Sequence, residues 1–349
     1  MELTGTAAPA FGPVAAEVAV VAVASAALGD GVTLARPPEV LAGGFGAGAY
    51  GCRVAGAPPE PWDGPVVARV GAAAAAARRE AAWHVTVAAH GLPTSPVLGV
   101  VDTPRDGGGT GGTAAVVVGQ GPSHSLVEVL GQNPMAIPDL LRSMAGLHAR
   151  LRAVPAAAAP AGTPSATCDP PLAVLDRALA ATGLGDRFAA ERAWLAGHAP
   201  ATADPVVCHG DFQPASVRLE PGETADAIVV DWSSVRLADP EYDLALTALM
   251  FWSVPYLAEG MGQRKMLKTV REMITDAYRS AYEGAPGAGP LDEERLRYWG
   301  AYHGLGWAVR LAAEEATGPA DPWDPVVLVR HPAAYRRDLA RRLARLTRG

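Results

Sequence analysis

The residues that could do chemistry cluster in the stretch VVCHGDFQPASV, residues 206–217. Asp211 follows a short apolar run and falls in a turn, where a carboxylate can be held rigidly and still reach a cleft. Ser216 comes five positions later, and Asp231 lies at the end of the next apolar run, AIVVDW. Two carboxylates and a neutral oxygen at adjacent strand ends can hold Mg²⁺ against a polyphosphate. Magnesium prefers hard oxygen ligands and keeps waters and substrate phosphates in its shell. One carboxylate would then orient an incoming hydroxyl while the other grips the metal.

The order His-x-Asp, an oxygen ligand five residues after the Asp, a strand and a second Asp is the kinase arrangement of base and two metal ligands. The segment HGDFQPAS…VVDWSSVRLADPEYDLA resembles the aminoglycoside phosphotransferase-like (choline kinase-type) branch of the protein-kinase-like fold, which carries HGD where protein kinases carry HRD. The resemblance implies Asp211 as catalytic base, Asp231 as principal metal ligand and Ser216 as the second. It implies structural support from His209 and Asp243, with Asp243 bracing the catalytic loop through backbone hydrogen bonds. It also implies ATP or GTP and Mg²⁺ as cofactors. The loop departs from the family at three points: Ser216 replaces the usual Asn, Gln213 stands where His is common, and Ala215 where Gly is common. A hydroxyl is still a legitimate magnesium ligand, as in P-loop enzymes, so the enzyme is expected to be active.

Other segments supply the expected nucleotide site. GGFGAGAYG lies between two predicted strands, and its Gly44, Phe45, Gly46, Ala47 and Gly48 would cover phosphates with backbone N–H groups. In VVARV, Arg69 occupies the basic position of the third strand and would meet the α/β-phosphates while pairing with Glu80 on the next helix. Val118 and Gln120 mark the backbone that would read the base. His148, in LHARL, is expected to pack without chemistry.

The elements that must position these groups can be read along the chain. The first third gives strand, strand, strand, helix, strand, strand, with the helix AAAAAARREAAWHVTVAAHG closing on Gly91, a C-cap residue. After GQGPSHS the pattern turns helical: Leu140, Leu141, Met144, Leu147 and Leu151 form a stripe. The expected fold class is α+β and bilobal: an N-lobe over 1–118 with an N-terminal helix, a five-stranded sheet and one helix; a hinge at 119–125; and a helical C-lobe over 126–349 holding the catalytic loop and acceptor pocket. The last segment, YRRDLARRLARLTRG, reads as a docked amphipathic helix.

Composition bounds the partners. The 349 residues are 49% hydrophobic and 19% charged, which suits one or two packed domains rather than disorder. A net charge of −7 disfavours nucleic-acid binding through phosphate neutralisation. Cys52, Cys168 and Cys208 are odd in number and widely spaced, which fits a reducing cytoplasm. The apolar run VAAEVAVVAVASAALG has no preceding basic residue, is interrupted by Glu17 and is too short to span a bilayer, so it is expected to pack on the N-lobe, with no membrane partner.

On the acceptor side, Trp252, Tyr256, Trp299, Tyr302 and His303 are candidates for a pocket, since aromatic faces suit sugar rings and other flat acceptors. A polycationic aminoglycoside would need carboxylates, and Glu314, Glu315, Asp239 and Glu241 are the ones available. The leading expectation is phosphoryl transfer to a hydroxyl of an antibiotic or specialised metabolite. Two alternatives stand beside it: a kinase acting on Ser or Thr of a peptide, which would need a peptide-binding partner protein, and a pseudokinase-type nucleotide-binding regulator.

Overall fold

The β-rich part is a five-stranded antiparallel sheet of order β1-β2-β3-β5-β4. Its strands are β1 (Glu39–Val40), β2 (Gly48–Cys52), β3 (Val66–Ala73), β4 (Val97–Thr103) and β5 (Thr113–Gly119). The structure is a computed structural model that describes residues 12–41, 48–103, 112–132, 134–165, 171–201, 204–253, 261–317 and 332–348. Two helices flank the sheet. Helix α1 (Pro13–Leu28) turns Ala16, Ala19, Val20, Val23 and Ala24 onto one side. It approaches so closely that a side chain at Gly99 of β4 would meet Val23 at 2.4 Å. Helix α2 (Ala74–Ala89) fills the other side with Ala77 and Ala81 and buries Glu80. It stops where Gly91 takes φ +77° and Leu92 N–H donates to the Val87 carbonyl, a pattern that caps orphan carbonyls.

Beyond β5 the chain makes a short β6 (His124–Ser125) and becomes helical: α3 (Leu126–Gln132), α4 (Ile137–Arg152), α5 (Pro171–Thr182) and α6 (Ala189–Gly197). Four short strands then interrupt the helices: β7 (Val206–Cys208), β8 (Val217–Leu219), β9 (Ile228–Val229) and β10 (Arg236–Ala238). β10 pairs with β7, and β8 lies between β6 and β9. Helices α7 (Glu241–Ser253), α8 (Met261–Glu283), α9 (Glu293–Thr317) and α10 (Pro332–Leu346) complete the lobe. α7 is buried on nearly every face, which explains its lack of an amphipathic stripe. α10 docks through Leu339 and Leu343, which fit against Gly304 of α9. The fold is therefore a small β lobe and a larger helical lobe, the bilobal protein-kinase-like arrangement expected from the sequence. No helix among the described residues is long and apolar enough to cross a membrane.

The two lobes are joined near the future site by the segment after α2. Val229 N–H donates to the Pro93 carbonyl at 2.9 Å, and Thr94 forms a parallel bridge with Val229. Trp232 Nε1 donates to Thr94 Oγ1 at 2.8 Å, and Thr94 Oγ1 contacts His84 Nδ1 at 3.0 Å. Burial holds His84 down at about 4, so this link stays uncharged at neutral pH. Asp231, at the C-terminal end of β9, is thereby held in register with α2, which carries Glu80.

Candidate active site

β7 delivers the loop that carries His209 and Asp211, and β10 pairs with that strand, with Arg236 opposite Cys208 and Ala238 opposite Val206. The turn needs glycine at 210: φ is +81°, and a Cβ there would lie 1.9 Å from the Ser234 carbonyl oxygen. Asp243, fully buried at the start of α7, accepts backbone N–H bonds from His209 at 2.5 Å and Gly210 at 2.9 Å. Burial pushes its carboxyl up to about 7, while those two N–H donors pull the other way. His209 donates from Nε2 to the Val230 carbonyl at 3.0 Å and accepts from Asp211 N–H at Nδ1 (3.3 Å). That tautomer suits a ring that burial lowers to about 4. His209 therefore links the Asp211 turn to the strand leading into Asp231 as a neutral strut. Thr247, one turn after Asp243, adds a bond from Oγ1 to the Phe212 carbonyl at 2.5 Å.

Asp211 receives Gln213 Nε2 at 3.0 Å from both of its carboxylate oxygens. Burial and the neighbouring charge of Asp231 raise its carboxyl to about 7, with Gln213 opposing. Asp211 and Asp231 are thus close enough for the charge of one to act on the other. Ser216 is buried and donates from Oγ to the Asp211 carbonyl at 2.8 Å, so its hydroxyl tightens the loop.

Asp231 has φ 68° and ψ 66°, and it is the only residue other than glycine with positive φ among those described. Asp tolerates this region better than most side chains but still at a cost in strain, and such outliers gather at functional sites. Its Oδ1 takes both Ser233 Oγ (2.6 Å) and Arg69 Nη1 (2.6 Å). Oδ2 keeps no partner among the described residues. Burial would raise this carboxyl, but the Arg69 guanidinium overrides it and holds the group below its usual value. Arg69 also reaches Glu80 Oε1 at 3.0 Å through Nε. Burial opposes its charge, and Asp231 followed by Glu80 more than restore it. Its Nε and Nη2 are both buried without a hydrogen-bond partner, the Nε–Glu80 contact being an ion pair that lacks hydrogen-bond alignment.

These features fit a metal–nucleotide. An arginine with two orphaned buried nitrogens, next to a carboxylate with one spare oxygen, suits a phosphate oxygen and a divalent cation side by side. Among the described residues no group of three or more His, Cys, Asp or Glu side chains could hold a metal by itself. That matches Mg²⁺, which binds through one or two carboxylates plus substrate phosphates rather than in an all-protein cage.

The remaining expected residues fall in three places. Gly44, Phe45, Gly46 and Ala47 of the glycine loop, Tyr256 of the acceptor set and Cys168 lie outside the described residues, whereas Gly48 opens β2 beside Arg69's strand. Val118 is buried in β5, and Gln120 N–H donates to the Pro65 carbonyl at 3.0 Å, where the chain leaves the sheet. Trp252, Trp299, Tyr302 and His303 are all buried in the helical core. Trp299 Nε1 is spent on Asp239 at 3.0 Å, and the His303 ring on the Tyr242 carbonyl at 2.9 Å. Tyr302 packs edge-on against both Trp299 and His303, so these rings form core rather than an open pocket. Two of the four carboxylates considered for a polycation are also engaged internally: Asp239 with Arg295 and Trp299, and Glu241 with the Asp292 N–H.

Reading the sequence alone missed the Gln213 bond to Asp211, the Ser233 bond to Asp231 and the Thr94–Trp232 lobe contact. Only Gln213, by its departure from the family pattern, carried a signal.

Residues 62–310 match the phosphotransferase enzyme family. Among solved structures, the chain is similar to an aminoglycoside-3'-phosphotransferase of type VIII, at 22% identity over 77% of this chain and 93% of that one, with a TM-score of 0.56. It is also similar to an aminoglycoside phosphotransferase from Streptomyces rimosus (21% identity, 82% and 97% covered, TM-score 0.51). A choline/ethanolamine kinase family protein from Mesorhizobium loti matches at 17% identity, with 90% and 94% covered and a TM-score of 0.53. At these identities the structural likenesses establish the fold. No curated protein matches the sequence. The family match spans both lobes and every residue of the Arg69–Glu80–Asp211–Asp231 cluster, and the chain belongs to the phosphotransferase enzyme family: it is a nucleotide-dependent enzyme that phosphorylates a small-molecule hydroxyl.

Proposed function

We propose that the chain moves the γ-phosphoryl group of ATP or GTP to a hydroxyl of an antibiotic or specialised metabolite, with Asp211 as base, Asp231 as metal-holding carboxylate and Arg69 as phosphate contact. The observation that carries this reading is the Arg69–Asp231 pair, in which an unpaired buried N–H and a spare carboxylate oxygen sit together. Asp231 Oδ2 would hold Mg²⁺, with the Ser216 oxygen, phosphate oxygens and water completing the shell. When bound, the ion would neutralise charge on the β- and γ-phosphates. Arg69 places the α/β-phosphates, and Glu80 keeps its guanidinium from swinging away. Asp211 accepts a hydrogen bond from the incoming hydroxyl and takes its proton as the phosphoryl group arrives. A base raised to about 7 is well matched to that task, because general bases work best when their pKa lies near the operating pH. The segment 119–125 acts as the hinge, and backbone around Val118 and Gln120 reads the base. The cytoplasm, where nucleotide and free thiols coexist, is the compartment this reading needs.

The acceptor is an alcohol that does not depend on a carboxylate-lined pocket from Asp239 or Glu241, both of which are occupied. Intact Asp211, Asp231 and Asp243 speak against a pseudokinase, and nothing in the site favours a peptide acceptor. The test is incubation with labelled ATP or GTP, Mg²⁺ and panels of hydroxyl-bearing antibiotics, metabolites and short peptides. A small-molecule product gaining one phosphate is expected. Tight nucleotide binding with neither transfer nor slow hydrolysis across those panels would overturn the reading.

A further inference from the structure

The far end of α7 carries a second feature, remote from the chemistry. Trp252 lies nine residues beyond Asp243, about 13.5 Å along the helix at the usual rise per residue. Two arginines from different helices converge on its ring: Arg271 of α8, with Cζ 4.8 Å from the ring centroid, and Arg342 of α10, with Cζ 5.4 Å from it. Neither forms an ion pair among the described residues. Arg271 Nε and Nη1 and Arg342 Nε are buried without a hydrogen-bond partner. Asp338, one turn before Arg342, is taken up by Lys268 and Arg341. Glu272 acts on Arg342 only through space.

This arrangement is unfavourable as it stands. Each orphaned guanidinium N–H has lost water without gaining an acceptor, and the two like charges act on each other beside one ring. The strain registers on Arg342, which burial, Arg271 and Arg345 pull down to about 10. Stacking on Trp252 offsets part of the cost through the ring quadrupole, but it supplies no hydrogen-bond acceptor to the in-plane N–H groups. An oxyanion would supply acceptors and opposite charge at once. Guanidinium forks match tetrahedral oxyanions, and two cations are balanced by a dianion better than by a single carboxylate.

We propose that Arg271 and Arg342, stacked on Trp252 between α7, α8 and α10, form an anion-binding site for a phosphate dianion, either free or as a phosphate monoester, separate from the nucleotide site at Arg69. The probe is inorganic phosphate, compared with chloride and acetate at matched ionic strength and pH, with thermal unfolding as the readout. Phosphate is expected to stabilise the wild-type protein saturably where chloride and acetate do not. At ten times its Kd the folded-to-unfolded ratio rises about elevenfold. Arg271→Met and Arg342→Met each lose that increment, and Arg271→Lys, which keeps charge without the fork, retains only part of it. An equal phosphate increment in wild type and both Met variants would place the anion elsewhere and overturn the proposal, as would no increment over chloride in wild type. Should the Met variants fail to fold, wild-type crystals soaked in tungstate decide the matter. An anomalous peak between Arg271 and Arg342 is expected, and its absence refutes the site. Glucose 6-phosphate, tested beside inorganic phosphate, separates the two sources: a larger increment from the ester identifies a monoester ligand, and an equal or smaller one identifies the free anion.

Discussion

Replacing Gln213 by Leu removes the one side-chain donor among the described residues that touches Asp211, the proposed base, while keeping similar bulk. Gln213 Nε2 lies 3.0 Å from each Asp211 oxygen, and both contacts favour the ionised form. A hydrogen bond to a charged group contributes about 1.5–3 kcal/mol. Gln213 is only half-buried, so water replaces part of what is lost and the lower end applies. At 1.36 kcal/mol per pKa unit, that is roughly one unit. Asp211 would rise from about 7 to roughly 8. A base works when ionised, so activity is lost as pH falls through this value, and the acid limb of the profile moves to higher pH in the variant. At pH 7 the ionised fraction drops from about one-half to about one-eleventh, a fivefold loss of kcat/KM, while the two proteins converge near about pH 9.5. The assay is basal nucleotide hydrolysis to water across pH, which needs no identified acceptor, and its kcat/KM profile reports the free enzyme. A uniform loss at every pH with an unmoved midpoint would refute the reasoning, since Gln213 would then be affecting something other than Asp211's proton.

Three further perturbations probe the neighbouring parts. Arg69→Met should weaken Mg·nucleotide binding by at least tenfold in a direct titration, because it removes the only guanidinium paired with Asp231 among the described residues and leaves Glu80 and Asp231 uncompensated. Unchanged affinity would dismiss Arg69 as a phosphate contact. Gly210→Ala should abolish turnover and lower the melting temperature, since its Cβ would sit 1.9 Å from a backbone oxygen that cannot yield cheaply, at a backbone angle Ala disfavours. Ser216→Ala loses the bond to the Asp211 carbonyl and should cost about 1 kcal/mol of stability by denaturant titration. It should also raise the magnesium concentration needed for half-maximal hydrolysis; an unaltered magnesium requirement would leave Ser216 a structural residue alone.

Much of this site was legible in the sequence because its chemistry is local. HGD, the strand AIVVDW and the DPEYDLA helix start lie within about forty residues, and each element's type follows from its own composition. Arg69 and Glu80 were legible for a related reason: a strand residue and a residue on the next helix meet whenever that helix folds back over the sheet. Trp252, Trp299, Tyr302 and His303 were expected at a pocket but lie in the core, because α7 and α9 are buried on nearly all sides. Trp299, Tyr302 and His303 share a helical face, but periodicity reports burial without saying whether the covering is a core or a ligand. The Arg69–Asp231 ion pair and the Arg271–Arg342 pair join segments more than seventy residues apart, and no local pattern records such a meeting. Ser216 shows the intermediate case. Its oxygen was expected at the metal, and the structure shows its proton committed to the loop backbone, a bond no local pattern records.

The most direct test of the account compares Asp211→Asn with wild type in one experiment that measures both nucleotide affinity and turnover. Asn keeps the shape, can still contact Gln213 and leaves Asp231 with Arg69, so Mg·nucleotide should bind with an affinity within about twofold of wild type. Turnover, lacking its base, should fall by about 10²–10⁴. A variant that hydrolyses or transfers phosphate at the wild-type rate would contradict the assignment of Asp211, and with it the division of roles between the two carboxylates.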